Sequence, residues 1–224
     1  MTRNVASAFL VTLISFSLAQ AKSFRGLIAV GNNQGLESEK PLTYAQNDAK
    51  RFADLMVRIG DVPRSNVILL QGESSSSLAN AIAQMTQKTQ QLKPKDVTLF
   101  FYYSGHGTDK NIHLGDDRYA LDKIHRNLAS INAGLRVSIV DACRSKTDLT
   151  AKGFKSVAPF SLKLDTPAGI QGVVTLKSSS AGEASQESSN LGGAVFTHYF
   201  LTALKGAGDR DKNQEASLDE AYQY

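Results

Sequence analysis

The sequence predicts an α/β protein, a three-layer α/β/α sandwich with a mostly parallel central sheet. Two features recur along the chain: near-continuous apolar runs too short for helices, and segments with apolar residues at helical spacing. Their regular alternation is the third observation. Strand–helix–strand order implies parallel strands joined by crossovers. Strands that are apolar throughout fit a sheet covered on both faces.

The elements follow in order. Arg25 to Gly31 reads as a buried strand, and Ala45, Ala49, Phe52, Met56 and Ile59 place a helix over 45–60. Asn66 to Leu70 is a second strand. Leu78, Ile82 and Met85 mark the next helix, with the preceding serines as N-caps. Val97 to Tyr103 is a third strand, almost wholly apolar and aromatic. Leu121, Ile124, Leu128 and Ile131 define another helix, and Leu135 to Val140 a fourth strand. Gly172 to Leu176 is expected as a fifth, followed by a helix from about Gly193 to Leu204. Between them, Lys146, Lys152, Lys155 and Lys163 interleave with Gly153, Pro159 and Pro167. That composition predicts a long exposed connection over 144–170.

The 224 residues suit one domain. Arg3, the apolar run Val5 to Leu18 and the small-x-small Ala19-Gln20-Ala21 read as a signal peptide over 1–21, a retained N-terminal anchor being the alternative. A domain would then span 22–224, with 207–224 as the start of a further segment, and the protein would be secreted or periplasmic. The net charge is +4 and falls by one on loss of Arg3. The basic residues are scattered, which argues against a nucleic-acid partner. No membrane partner is expected after cleavage. Cys143 is the one cysteine, so an internal disulfide is excluded. It is either a small buried hydrophobe or a retained nucleophile.

Its neighbours favour chemistry. The third strand leads into Ser104-Gly105-His106-Gly107, where the glycines are expected to turn the chain and leave the imidazole uncrowded. The fourth leads into Asp141-Ala142-Cys143-Arg144. Sites in open sheets form beyond the carboxyl ends of strands. If these strands are neighbours, His106 and Cys143 face each other, as a thiolate nucleophile and its base require. Of the other histidines, His125 is expected to be solvated on a helix and His198 to pack in the last helix. His113 is a minor rival to His106.

A family resemblance appears on these motifs. Phe100 to Gly107 resembles the histidine motif of the caspase and metacaspase superfamily, and Val140 to Ser145 its cysteine motif. Tyr44-Ala45-Gln46-Asn47-Asp48-Ala49 resembles the start of its first helix. Ser178 to Glu183 and Gly193 to Thr197 resemble later segments of bacterial caspase-like domains. The likeness runs from about Arg25 to Leu204.

The resemblance implies a cysteine endopeptidase with Cys143 as nucleophile and His106 as base, then acid. The backbone N–H groups of Gly107 and Cys143 would form the oxyanion hole. Asp141 stands where metacaspases carry an aspartate, and Asp48 and Ser104 would line the same pocket, so cleavage after Arg or Lys of a peptide or protein substrate is expected. The alternatives for Asp48 and Asp141 are a solvated first-turn carboxylate and a structural cap. Lys146, Lys152 and Lys155 would be autocleavage sites. No cofactor is required by this reading. Calcium is a further expectation: Asp116-Asp117 offers little, but Asp209, Asp211, Asn213, Ser217 and Glu220 resemble an EF-hand loop, with Gln214 in the place of its glycine. The rival readings are a catalytically silent caspase-fold binding or scaffold module, and another hydrolase or acyltransferase using a Cys–His pair. Oligomeric state is left open.

Overall fold

The computed structural model describes residues 23–144, 172–178 and 187–224, with the backbone alone at 143 and 144. The expected signal peptide, most of the 144–170 connection with Lys146, Lys152 and Lys155, and part of the Ser178–Glu183 segment lie outside the described residues.

Five strands form the parallel core: β1 (Phe24–Asn32), β2 (Val67–Gln71), β3 (Val97–Gly107), β6 (Leu135–Arg144) and β7 (Gly172–Lys177). They lie side by side in the order β2-β1-β3-β6-β7. An antiparallel hairpin, β4 (Asn111–Leu114) and β5 (Asp117–Ala120), continues from the end of β3. A small hairpin pairs β8 (Glu187–Ser188) with β9 (Gly193–Ala194). The helices are α1 (Ala45–Arg58), α2 (Ser75–Thr89), α3 (Leu121–Ala129), α4 (Val195–Thr202), which runs into a π turn at Ala203–Ala207, and α5 (Leu218–Gln223).

The two-residue period of the strands splits the core into two layers. Ile28, Val30, Leu99, Phe101, Tyr103 and Val140 pack with α2 and α3. Leu27, Ala29, Tyr102, Val137 and Ile139 pack with α1 and α4. Phe52 of α1 stacks on Tyr102 at a centroid distance of 4.4 Å. The expected sandwich is therefore present, with helices on both faces of the sheet.

The first two helix starts are set in different ways, α2 by the serine cap that the sequence suggests and α1 by a distant residue. The side chain of Ser74 accepts from the Ser77 N–H and caps α2. Tyr44 supplies no side-chain cap for α1. Instead Glu187, on β8, accepts from the Thr43 and Tyr44 N–H groups at 2.8 and 2.7 Å. A carboxylate there answers the orphan donors and the positive end of the helix dipole. The small hairpin thus pins the first turn of α1 beside the sheet rim.

Strands β3 and β6 run farther than their apolar runs predict, to Gly107 and Arg144. Ser104–Gly107 and Asp141–Arg144 therefore form the last residues of their strands, at the strand ends where the motifs are expected.

Candidate active site

Strands β3 and β6 pair from Thr98 with Leu135 to Gly107 with Arg144. This register sets His106 beside Cys143 and Ser104 beside Asp141. Both motifs thus share the carboxyl rim of the sheet, where α/β folds gather their reactive groups.

The surroundings of His106 differ from the expectation. Gly105 and Gly107 continue the strand and make no turn. Gly105 instead makes room: a Cβ there would lie 2.3 Å from the Tyr103 hydroxyl. Nor is the imidazole uncrowded, because His106 is 6% exposed. The loop after β1 folds back over the ring, and a Cβ on Gly35 would lie 2.6 Å from it. Only a residue without a side chain allows that approach.

The same loop carries Glu39 into the site, a residue with no sequence motif. Its carboxylate accepts from the Leu36 N–H and from Nδ1 of His113, both at 2.8 Å and both on Oε2. Its Oε1 lies 3.9 Å from Nδ1 of His106. Burial pushes the Glu39 carboxyl up, but the Leu36 N–H and the two histidines outweigh it and hold it below the usual range. Burial is also the largest influence on His106 and lowers it. The Glu39 charge and the Lys40 backbone oppose that, and His113 adds to it. His113, the minor rival, thus forms part of the surroundings of His106. The Gly115-Asp116 turn between Ile112-Leu114 and Tyr119 was a readable hairpin signal that would have placed His113 there. No comparable signal marks Glu39.

The acidic group lies one layer away. Asp48, fully buried in the first turn of α1, accepts from the Ala194 N–H at 2.8 Å and from Arg51 at 3.2 Å. The solvated-carboxylate alternative for Asp48 is therefore excluded. Desolvation lifts its carboxyl to about 6, opposed by Ala194 and Arg51 and reinforced by Asp141 and Glu187. Asp141 is 2% exposed and accepts from the Thr197 hydroxyl at 2.6 Å. That hydroxyl in turn bonds to Tyr102, whose phenol is pushed well up, first by burial and then by the Asp141 and Asp48 charges. Ser104 is 2% exposed and sits in register with Asp141. The structure thus gathers Asp48, Ser104 and Asp141 into one buried acidic cluster, while Gly107 stands one residue beyond His106.

Two other histidines lie elsewhere. His125 on α3 is half-buried and its Nε2 is enclosed without a partner among the described residues, so it is not the solvated residue expected. His198 packs its ring edge-on against Tyr199 at 5.4 Å. At the far end of the chain, carboxylate oxygens of Asp209, Asp211 and Glu220 lie within 4.8 Å of one another. Gln214 takes φ +68°, the left-handed conformation that the glycine of an EF-hand loop supplies. The oxygen donors match calcium's preference, though Glu220 already accepts from Ser217 and Arg210. Asn213 makes its bonds within the loop.

Comparison with known proteins bears on the fold and the family. No curated protein matches the sequence. Caspase-1 from Spodoptera frugiperda superposes with a TM-score of 0.58 at 16% identity, covering 84% of this chain and 71% of that one. A structure of pro-sf-caspase-1 gives a TM-score of 0.53 at 15% identity, covering 84% and 74%. At such identities the likeness shows the fold. The family model described as the caspase domain matches residues 26–221. With nearly the whole described chain inside that match, the protein belongs to the caspase-domain family of cysteine peptidases.

Proposed function

We propose that the chain is an exported cysteine endopeptidase that cleaves after Arg or Lys. The observation that carries this reading is the register that sets His106 beside Cys143 at the carboxyl rim. In it, the Cys143 thiolate attacks the scissile carbonyl after its proton passes to His106. The imidazolium then protonates the departing amine, leaving a thioester that water hydrolyses. Backbone N–H groups of Gly107 and Cys143 hold the oxyanion.

Specificity rests on Asp48, Ser104 and Asp141. Asp48, whose proton affinity is raised by burial and further by the Asp141 charge, gains most from an arriving cation, and a guanidinium or ammonium supplies it. An aspartate side chain would add a third negative charge to the same pocket. Export rests on residues 1–21, and self-cleavage after Lys146, Lys152 or Lys155 on their place after the nucleophile. Calcium is an accessory in this reading, held by the 209–220 loop away from the reacting atoms.

One observation favours a silent binding module: His106 is 6% exposed, under the Gly35 backbone. Fluorogenic peptides ending in Arg, Lys or Asp separate the readings. Turnover of the first two alone, lost in Cys143→Ala, supports the peptidase. Survival of all three favours the silent module. Identical single bands from wild type and Cys143→Ala would count against self-cleavage.

A further inference from the structure

The Glu39 carboxylate is 4% exposed, yet its two oxygens are treated differently. Oε2 has two donors, whereas Oε1 is buried with no hydrogen-bond partner among the described residues. An unpaired buried carboxylate oxygen is costly, and the polar atom it faces is Nδ1 of His106, 3.9 Å away, a ring on which the Lys40 backbone also acts. That separation is too long for a hydrogen bond but closes with a movement of about 1 Å.

The position of Glu39 is built from several sides. Its N–H donates to the Leu36 carbonyl while the Leu36 N–H donates to its carboxylate, and the Leu42 N–H closes the loop onto Asn33. His113 grips Oε2 from β4. The Tyr103 hydroxyl donates to the carbonyls of both His106 and His113, at 2.7 and 2.8 Å, so the two backbones are tied together. Gly35 lets the loop lie flat on the imidazole. The charged and titratable groups that face His106 are Glu39 from the loop, His113 from β4 and Glu187 from β8, with the Lys40 backbone beside them.

We infer that Glu39 is a positioning residue for the base: its free oxygen holds the Nδ1–H of His106 and so reserves Nε2 for the thiol proton. The inference rests on the peptidase reading and adds a member to its machinery. Nε2 of His106 has no partner among the described residues, as a base awaiting its proton should. When the S–H bond of Cys143 breaks, its proton goes to Nε2 and the electron pair stays on sulfur. The Nδ1–H stays on the ring, and Glu39 stays ionised throughout. The Nε2 proton leaves with the amine, which restores the starting tautomer.

The test is histidine NMR on the Cys143→Ala chain, with the His106 signals assigned by His106→Asn. Neutral His106 is expected as the Nδ1–H tautomer in the parent. In Glu39→Gln the amide oxygen can still accept from Leu36 and His113, so the loop keeps its place; loss of the charge alone lowers the midpoint but leaves the tautomer, whereas loss of a positioning contact also releases neutral His106 from the Nδ1–H form. The inference predicts both that release and a midpoint lower by about one pH unit or more, a tenfold or greater loss of proton affinity. An Nε2–H tautomer in the parent overturns it even if the variant does not fold. An unchanged tautomer or an unchanged midpoint in a folded Glu39→Gln overturns it too. Peptide turnover is measured separately on the chain with Cys143 intact. Turnover with a failed NMR result sinks this inference alone, and the expected NMR result without turnover sinks the peptidase reading instead.

Discussion

Replacing Asp48 by asparagine has a consequence that can be sized from the structure. Asp48 is fully buried, and desolvation is the largest reason its carboxyl titrates near 6 instead of 3.8. The Ala194 N–H and Arg51 pull it back, and Asp141 and Glu187 push it further up. An acid raised in the folded state keeps its proton between about pH 4 and 6, where the unfolded chain has lost it. Its contribution to stability is therefore present below that window and disappears as pH rises through it. About two pH units at 1.36 kcal/mol each gives ~3 kcal/mol. Asparagine does not titrate, so the stability difference between the parent and Asp48→Asn should move by ~3 kcal/mol toward the variant between pH 4 and pH 7. Urea unfolding of both chains in a Cys143→Ala background measures it. An equal difference at the two pH values would refute the reasoning, because Asp48 would then be solvated or fully compensated. The function follows the same sign. Hydrolysis of Arg peptides should rise through about pH 6 as the pocket ionises, and Asp48→Asn should raise KM more than it lowers kcat.

Other outcomes follow from the same contacts. Tyr103→Phe leaves the His106 and His113 carbonyls without the bridging hydroxyl and should cost about 1–3 kcal/mol, seen as a lower Tm; an unchanged Tm would show the bridge to be dispensable. Gly35→Ala places a methyl against Glu39 and the His106 ring, so about 1–3 kcal/mol of stability and most peptide turnover should be lost; full activity would mean that the loop does not lie on the base. Calcium should raise Tm in the full chain and leave Glu220→Ala unmoved, and no rise in the wild type would remove the 209–220 loop as a cation site.

Much of this was legible before any coordinates. The strands declared themselves because parallel strands covered on both faces are apolar throughout, and α1 because Ala45, Ala49, Phe52 and Met56 keep one stripe. Asp48 sits in that stripe, between Ala45 and Phe52, so its burial follows from spacing and not from its charge. The two strand-end motifs pointed to His106 and Cys143 because chemistry at a sheet rim needs reactive residues just past apolar runs. What stayed hidden depends on chain reversal. Glu39 lies in an aperiodic loop, and only the fold brings it to a histidine 67 positions later. Glu187 caps a helix that starts 142 positions earlier, and no local pattern records that meeting. The extra strand residues after Tyr103 and Val140 are polar or small. Sheet pairing, not hydrophobicity, carries them on to Gly107 and Arg144.

The most direct measurement is the rate at which iodoacetamide alkylates Cys143 as a function of pH, in the wild type and in His106→Gln. If the sulfur and the imidazole form a working pair, the wild-type thiol reacts readily at pH 6–7, and the variant reacts only as pH approaches the ordinary thiol value of about 8.5. Superimposable profiles from the two folded proteins would contradict the account.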